Sequence, residues 1–267
     1  MSNVLVAGAT GQQGGAVVDH LLADGHDVRG LTRDAESDAA RDLAERGVTV
    51  LEGDMLDADR MAGYCDGMDG VFLVTTFFES GTDVETEQGV TLATAAAEAG
   101  VPHVVFSSVG GADRDTGLPH FESKYEIERH LADLDVDVTV IRPVFFMQNS
   151  ETALGETIRG GELPLPLAEG VSLQLVDVDD VGAVAAMAFA DPGRFAGETI
   201  ELAGDERTLE SMAAAFAAHL GVDVAPIHVD VDAYRVEAGD ELADMFEWFN
   251  AVGYDADVGG VEAAYGI

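Results

Sequence analysis

In 267 residues the chain has one cysteine, one tryptophan and one lysine, seven prolines, and 13 basic side chains against 51 acidic ones. A single cysteine, Cys65, excludes an intrachain disulfide and favours a reducing, intracellular setting, with Cys65 itself read as a small, half-buried apolar residue. The longest apolar run, Val181–Ala190, falls far short of the roughly 20 residues that span a bilayer, so no membrane partner is expected. Met1-Ser2-Asn3 leads straight into a strand pattern, without the basic region and apolar core of a signal peptide. The seven histidines are scattered and neither HExxH nor CxxC occurs, so no metal site is expected.

What is abundant is negative charge. The formal net charge is −38, with Asp and Glu spread along the whole length, while 47% of residues are hydrophobic. That apolar fraction supports a sizeable core and argues against disorder. An acidic skin repels a phosphate backbone, which argues against direct nucleic-acid binding. Self-repulsion of this size is relieved where salt shortens the Debye length to roughly 3 Å, near 1 M. The composition therefore reads as that of a protein from a salt-loaded cytoplasm.

Val4–Ala7 is a continuous apolar run, as in a strand buried on both faces of a parallel sheet. Gly11–Ala23 follows as a helix, with Val17, Val18, Leu21 and Leu22 on one stripe. Strands are expected at 27–32, 48–51, 71–75, 104–107 and 138–141, and helices at 35–46, 85–99 and 120–134. This alternation predicts an α/β fold, a Rossmann-type doubly wound parallel sheet with a smaller C-terminal α/β subdomain. The expected division is 1–150 for the dinucleotide domain, with a returning segment at about 171–190, and 151–267 for the subdomain. Gly160-Gly161 and Leu163–Pro166 read as loop. Helices near 179–190 and 208–220 and strands near 198–202 and 224–229 read as parts of the subdomain.

Between the first strand and first helix lies Gly8-Ala9-Thr10-Gly11-Gln12-Gln13-Gly14-Gly15. Glycine at 8 permits the turn, the middle glycines let backbone approach a pyrophosphate, and Gly14 or Gly15 lets helix and strand pack closely. The helix start adds free N–H groups and a positive dipole. No lysine follows the glycines, so this is not a P-loop. At the end of the second strand Arg33 suits the 2′-phosphate of NADP, although Asp34 follows it and a carboxylate there suits NAD. NADP(H) is the expected cofactor, with NAD(H) second. Asp54 and Met55 after the third strand, and Thr75, Thr76 and Phe77 after the fourth, lie at the edge where such sheets bind ligands. Ser107-Ser108-Val109-Gly110 lacks the leading glycine of a nucleophile elbow, though its serines lie at the same edge.

The lone lysine, Lys124, sits four residues after His120, on the same helix face. Its survival where every other cation is arginine argues that a compact ammonium is required there. The glycine turn, Thr32-Arg33, Gly53-Asp54, His120-Phe121-x-x-Lys124-x-x-x-Glu128, Arg142–Asn149, Val176–Gly182 and Leu242–Phe246 together resemble the NmrA-like group of atypical short-chain dehydrogenases, above all its NADPH-sensing, HSCARG-type branch. The resemblance covers nearly the whole chain. It implies a Rossmann domain with a small substrate or partner domain, and brings Lys124, Phe146 and Asn149 to the nicotinamide end of the cofactor. Ordinary short-chain dehydrogenases carry a proton-donating Tyr where this chain has His120. Tyr125 lies about 100° further round the helix and is no direct substitute.

Two function classes follow. A sensor would bind NADP(H) and act through a regulatory protein partner. A reductase would pass hydride to a quinone or conjugated carbonyl, with Lys124 or His120 as candidate proton donor. The missing Tyr favours the sensor. An open apolar pocket beside Phe77, Phe78, Phe145, Phe146 and Met147 would favour the reductase. An oligomer is compatible with the sequence and not specified by it.

Overall fold

The structure, a computed structural model, describes residues 2–267. Its first half alternates β1 (Asn3–Val6), α1 (Gln12–Ala23), β2 (Asp27–Thr32), α2 (Asp38–Glu45), β3 (Thr49–Glu52), α3 (Ala58–Cys65), β4 (Gly70–Val74), α4 (Thr82–Glu98), β5 (His103–Ser107), α5 (Pro119–Ala132) and β6 (Asp137–Pro143). The second half runs β7 (Phe145–Phe146), α6 (Gln148–Thr152), α7 (Gly155–Arg159), β8 (Glu162–Leu165), β9 (Ser172–Val176), α8 (Val178–Ala190), α9 (Pro192–Phe195), β10 (Thr199–Leu202), β11 (Asp205–Thr208), α10 (Leu209–Leu220), β12 (Ala225–His228), α11 (Val231–Ala238), α12 (Asp240–Ala251) and α13 (Val258–Tyr265).

Seven strands form one parallel sheet in the order β10-β6-β5-β4-β1-β2-β3. This is the expected doubly wound fold. The order reverses between β1 and β4, so the crevice at their carboxyl ends is the natural ligand position. Helices α1 and α8 pack on one face of the sheet, over Val4, Val6, Val17, Val18, Phe72 and Val184; α3, α4 and α5 cover the other, over Leu5, Leu73, Leu92, Phe106 and Ile127.

Two expectations are corrected and one helix is added. Residues 198–202 are not in the subdomain: β10 is the seventh strand of the main sheet, with Leu202 opposite Pro143 of β6. Helix α8 joins it there, lying so close on α1 that a Cβ on Gly182 would sit 2.6 Å from the Ala16 carbonyl carbon. Residues 163–165 are not loop. They lie in β8, which pairs in parallel with β12, Leu163 opposite Pro226. A two-stranded sheet is all edge, so Pro164 and Pro226 can each sit in it without breaking a ladder on both sides. Helix α3, absent from the sequence reading, buries only Met61 and Cys65, too thin an apolar stripe to stand out, although Asp57 caps it by accepting from the Arg60 N–H.

Helices α2, α9 and α13 also pack on the main core, through Leu43, Phe195 and Val261, and the other elements of the second half make an annex. A three-stranded sheet, β11-β9-β7, and the β12-β8 pair enclose a third core with α10 and α12, built on Leu163, Leu173, Leu209, Phe246 and Phe249. No helix among the described residues is long and apolar enough to cross a membrane.

Candidate cofactor and substrate cleft

One cavity of about 1260 Å³ runs along the carboxyl edge of the main sheet and under the annex. Its near end is the glycine turn. Gly8 has φ +59°, and a Cβ on Gly14 would stand 2.2 Å from the Gly8 carbonyl oxygen, so a side chain at 14 would force α1 off β1. The N-cap of α1 is Gly11, which brings no side-chain acceptor, so the first-turn N–H groups face the cavity without an internal cap. Gly8, Thr10, Gly11, Gln12, Gln13 and Gly14 all line it, as do Arg33, Asp54, Met55, Thr75, Thr76, Phe77, His120, Lys124, Phe146 and Asn149. Residues from six separate stretches of sequence therefore line one cavity.

Arg33, just past β2, is bound by Glu79 from the segment between β4 and α4. Its Nη2 donates to Glu79 Oε1 at 2.7 Å, and its Nη1 pairs with Oε2. Asp54 Oδ1 accepts from the Leu56 N–H at 3.0 Å, which fixes the loop after β3.

Lys124 lies deeper and is buried. Its Nζ donates to the Thr75 carbonyl at 2.7 Å and to Thr75 Oγ1 at 2.8 Å, and pairs with Glu85 Oε1 at 3.0 Å. Those three contacts use all three ammonium protons. Glu85 is fully buried and also accepts from Ser123 Oγ at 2.6 Å and Thr75 Oγ1 at 3.2 Å. Burial pulls the Lys124 ammonium below the ordinary lysine value, and the Glu85 carboxylate opposes that pull.

His120 stacks on Phe77, ring centroids 4.8 Å apart, and meets the Phe121 ring edge-on at 4.9 Å. Its Nδ1 is 2.9 Å from Glu241 Oε1 on α12 of the annex. With an ionised Glu241, Nδ1–H donates and the neutral ring carries its lone pair on Nε2. Burial holds this imidazole below its usual range, against the opposing pull of Glu241 and Glu85. Tyr125 is outside the cavity, half-buried beneath Arg129. Ser108 lines the cavity and donates to Glu128 Oε1, while Ser107 donates to Gln13 Oε1. Glu128 in turn receives Arg142 in a two-pronged pair, Nη2 to Oε2 at 2.7 Å and Nε to Oε1 at 3.0 Å, locking α5 to β6.

The far end is apolar: Phe145, Leu154, Pro164, Leu165, Tyr234, Met245 and Phe246 line it, with Glu237 as its acidic member. Phe77, Phe78, Phe145 and Phe146 border the cavity as expected. Met147 does not. Its backbone is pinned to Val176 and its side chain packs against the annex core, so that expectation is corrected. No cluster of three or more His, Cys, Asp or Glu among the described residues is arranged to hold a metal.

The sequence profile of the NmrA-like family matches residues 1–266. The chain belongs to the NmrA-like family. An NAD(P)H azoreductase of Xenophilus azovorans is 33% identical over 190 residues, covering 71% of this chain and 64% of the azoreductase. The NADPH-dependent quinone oxidoreductase of Escherichia coli, solved with NADPH, superposes with a TM-score of 0.85 at 24% identity, over 98% of this chain and 94% of that one. The negative transcriptional regulator NmrA, solved with NADP, superposes at 0.79 with 22% identity, over 99% and 91%. At these identities the two structures speak for the fold.

Sequence reasoning missed three partners in this NmrA-like cleft: Glu79 on Arg33, Glu85 on Lys124, and Glu241 on His120. With 51 acids in the chain, no single Glu stands out. Only for Glu85 is there a signal, since it falls on the inward stripe of α4 with Gly89, Leu92, Ala93 and Ala96, where a lone charge demands a partner.

Proposed function

We propose that this chain binds NADP(H) and reduces planar, apolar acceptors of the quinone or azo class. The carrying observation is the single cavity that joins the glycine turn to the aromatic wall of the annex. Its residues fit a dinucleotide phosphate: a cradle that a Cβ at 14 would fill, an uncapped helix start for the pyrophosphate, and an arginine fork beyond β2 for the 2′-phosphate. Asp54 and Met55 would border the adenine, and Thr75, Thr76, Phe77, Phe146 and Asn149 the nicotinamide end. Bound there, the cofactor would supply a hydride.

A quinone needs one further proton. His120 is the group fitted to relay it: it lines the cavity, and Glu241 holds its Nδ1, which leaves the Nε2 lone pair to take up a proton and pass it on. Lys124 is then a positioning residue, because its protons are spent on Thr75 and Glu85. It orders the Thr75 turn at the floor of the cleft. The similarity to an azoreductase and a quinone oxidoreductase supports the acceptor class. The acidic composition supports work in a salt-rich cytoplasm.

The test is NADPH oxidation at high salt against a panel of quinones and azo dyes. We expect turnover that His120→Phe lowers by roughly 10²-fold. Tight NADPH binding with no turnover on any acceptor would sink this reading and leave the second one. In that second reading the chain is an NADP(H)-responsive regulator acting through a protein partner, as favoured by the missing Tyr and the saturated Lys124 ammonium.

A further inference from the structure

Arg33 and Glu79 face each other across the mouth of the cleft, and both line it. The Glu79 carboxylate meets the guanidinium with both oxygens, the geometry in which a phosphate would also be taken. Glu79 belongs to a short segment between β4 and α4, closed by the Gly81 N–H donating to the Phe77 carbonyl at 2.8 Å. Phe77 and Phe78 of that segment stack on each other at 4.2 Å. Phe77 lies on His120, His120 meets Phe121 edge-on, and Phe121 meets Trp248 of α12 at 5.5 Å. The same α12 holds His120 through Glu241. A continuous row of rings therefore runs from the Glu79 segment to the only tryptophan of the chain.

We propose that Glu79 and the 2′-phosphate of NADP(H) compete for the Arg33 guanidinium, and that the exchange frees the 77–80 segment and is transmitted along this row to Trp248 and the annex. The inference rests on the reading above that NADP(H) is bound with its 2′-phosphate at Arg33. Glu79 occupies both terminal nitrogens of the Arg33 fork, so a 2′-phosphate can take the same two-pronged seat only as Glu79 leaves it. A cofactor carrying a 2′-hydroxyl brings no charge to displace the carboxylate. Glu79 then acts as a filter: both cofactors fit the cleft, and only the phosphorylated one opens the pair. Because Phe77 rests on His120, release of the segment also changes the cover over the group proposed to relay the proton.

Calorimetry at one fixed salt concentration would compare NADPH and NADH on the unmodified protein, Glu79→Gln and Arg33→Ala. Glu79 is exposed, so its replacement leaves the core untouched. Glu79→Gln is expected to tighten NADPH about two- to fivefold, the range that an exposed ion pair is worth, and to leave NADH unchanged. Trp248 emission gives the second readout, with adenosine 2′,5′-bisphosphate as a probe that carries the 2′-phosphate and no nicotinamide. It should shift the emission where 5′-AMP does not, and Glu79→Gln alone should shift it in the same direction. NADPH affinity unaltered by Glu79→Gln, or emission indifferent to the probe, overturns the proposal. Weaker NADH binding in Glu79→Gln also overturns it, since Glu79 would then be a ribose ligand. The underlying cofactor reading fails separately, if Arg33→Ala keeps the NADPH preference.

Discussion

Lys124 and Glu85 were brought together by folding, and neither can be removed alone. Glu85 has no exposure to water, and Lys124 supplies its cation. Lys124→Ala should therefore cost about 3–5 kcal/mol of stability, by stranding a buried carboxylate, and not merely weaken cofactor binding. Denaturant titration at fixed salt checks this, and Lys124→Met combined with Glu85→Gln should recover most of the loss. If the single substitution is harmless, the pair is not the brace described. His120 and His103 are both held below the ordinary imidazole value of 6.5, first by burial. As pH falls through that value the unfolded chain takes up these protons before the folded one does, so stability should decline on acidification between about pH 7 and pH 5. His120→Phe should flatten part of that slope and leave the share of His103, whose Nδ1 has no partner. An unchanged slope would assign the dependence elsewhere.

At the scale of elements, the contact of α1 with α8 is the tightest commitment in the fold. Gly182→Ala drives a methyl group into the Ala16 backbone and should cost about 1–3 kcal/mol in a melting experiment, without touching any residue that lines the cleft. The strands and helices of the first half were legible because each apolar run is bounded by glycine or charge: Val4–Val6 by Gly8, Asp27–Thr32 by Gly25. Helix α3 was not, because two buried side chains in eight residues give no periodicity. Nor was β8, since two prolines in 163–166 read as a break and only the pairing with β12 shows that Pro164 sits in an edge strand. Strand β10 was seen as a strand, but its partner β6 lies more than fifty residues back, a distance that local pattern cannot bridge. The cleft divides the same way. The glycine turn, Arg33, Thr75, His120 and Lys124 announced themselves by position after strands or by rarity, whereas Glu79, Glu85 and Glu241 are three acids among many.

For the molecule as a whole, charge decides where it can work. A formal charge of −38 on a chain of this size makes compaction expensive in dilute buffer. The melting temperature should climb steeply as KCl rises from low concentration to about 1 M, where the screening length is only roughly 3 Å. A flat or falling melting temperature across that range would contradict the halophilic reading. The path of the chain carries a mechanical corollary. After β6 it leaves the main sheet through the single residue Val144 to start β7, and after β10 it leaves again through Ala203-Gly204 to start β11. These exits stand side by side, because Leu202 pairs with Pro143 and the Val144 N–H donates to the Leu202 carbonyl. Two further crossings, at Asp177 between β9 and α8 and at 252–257 between α12 and α13, join this pair, so the annex is lashed to the carboxyl edge of the sheet at four points of the chain.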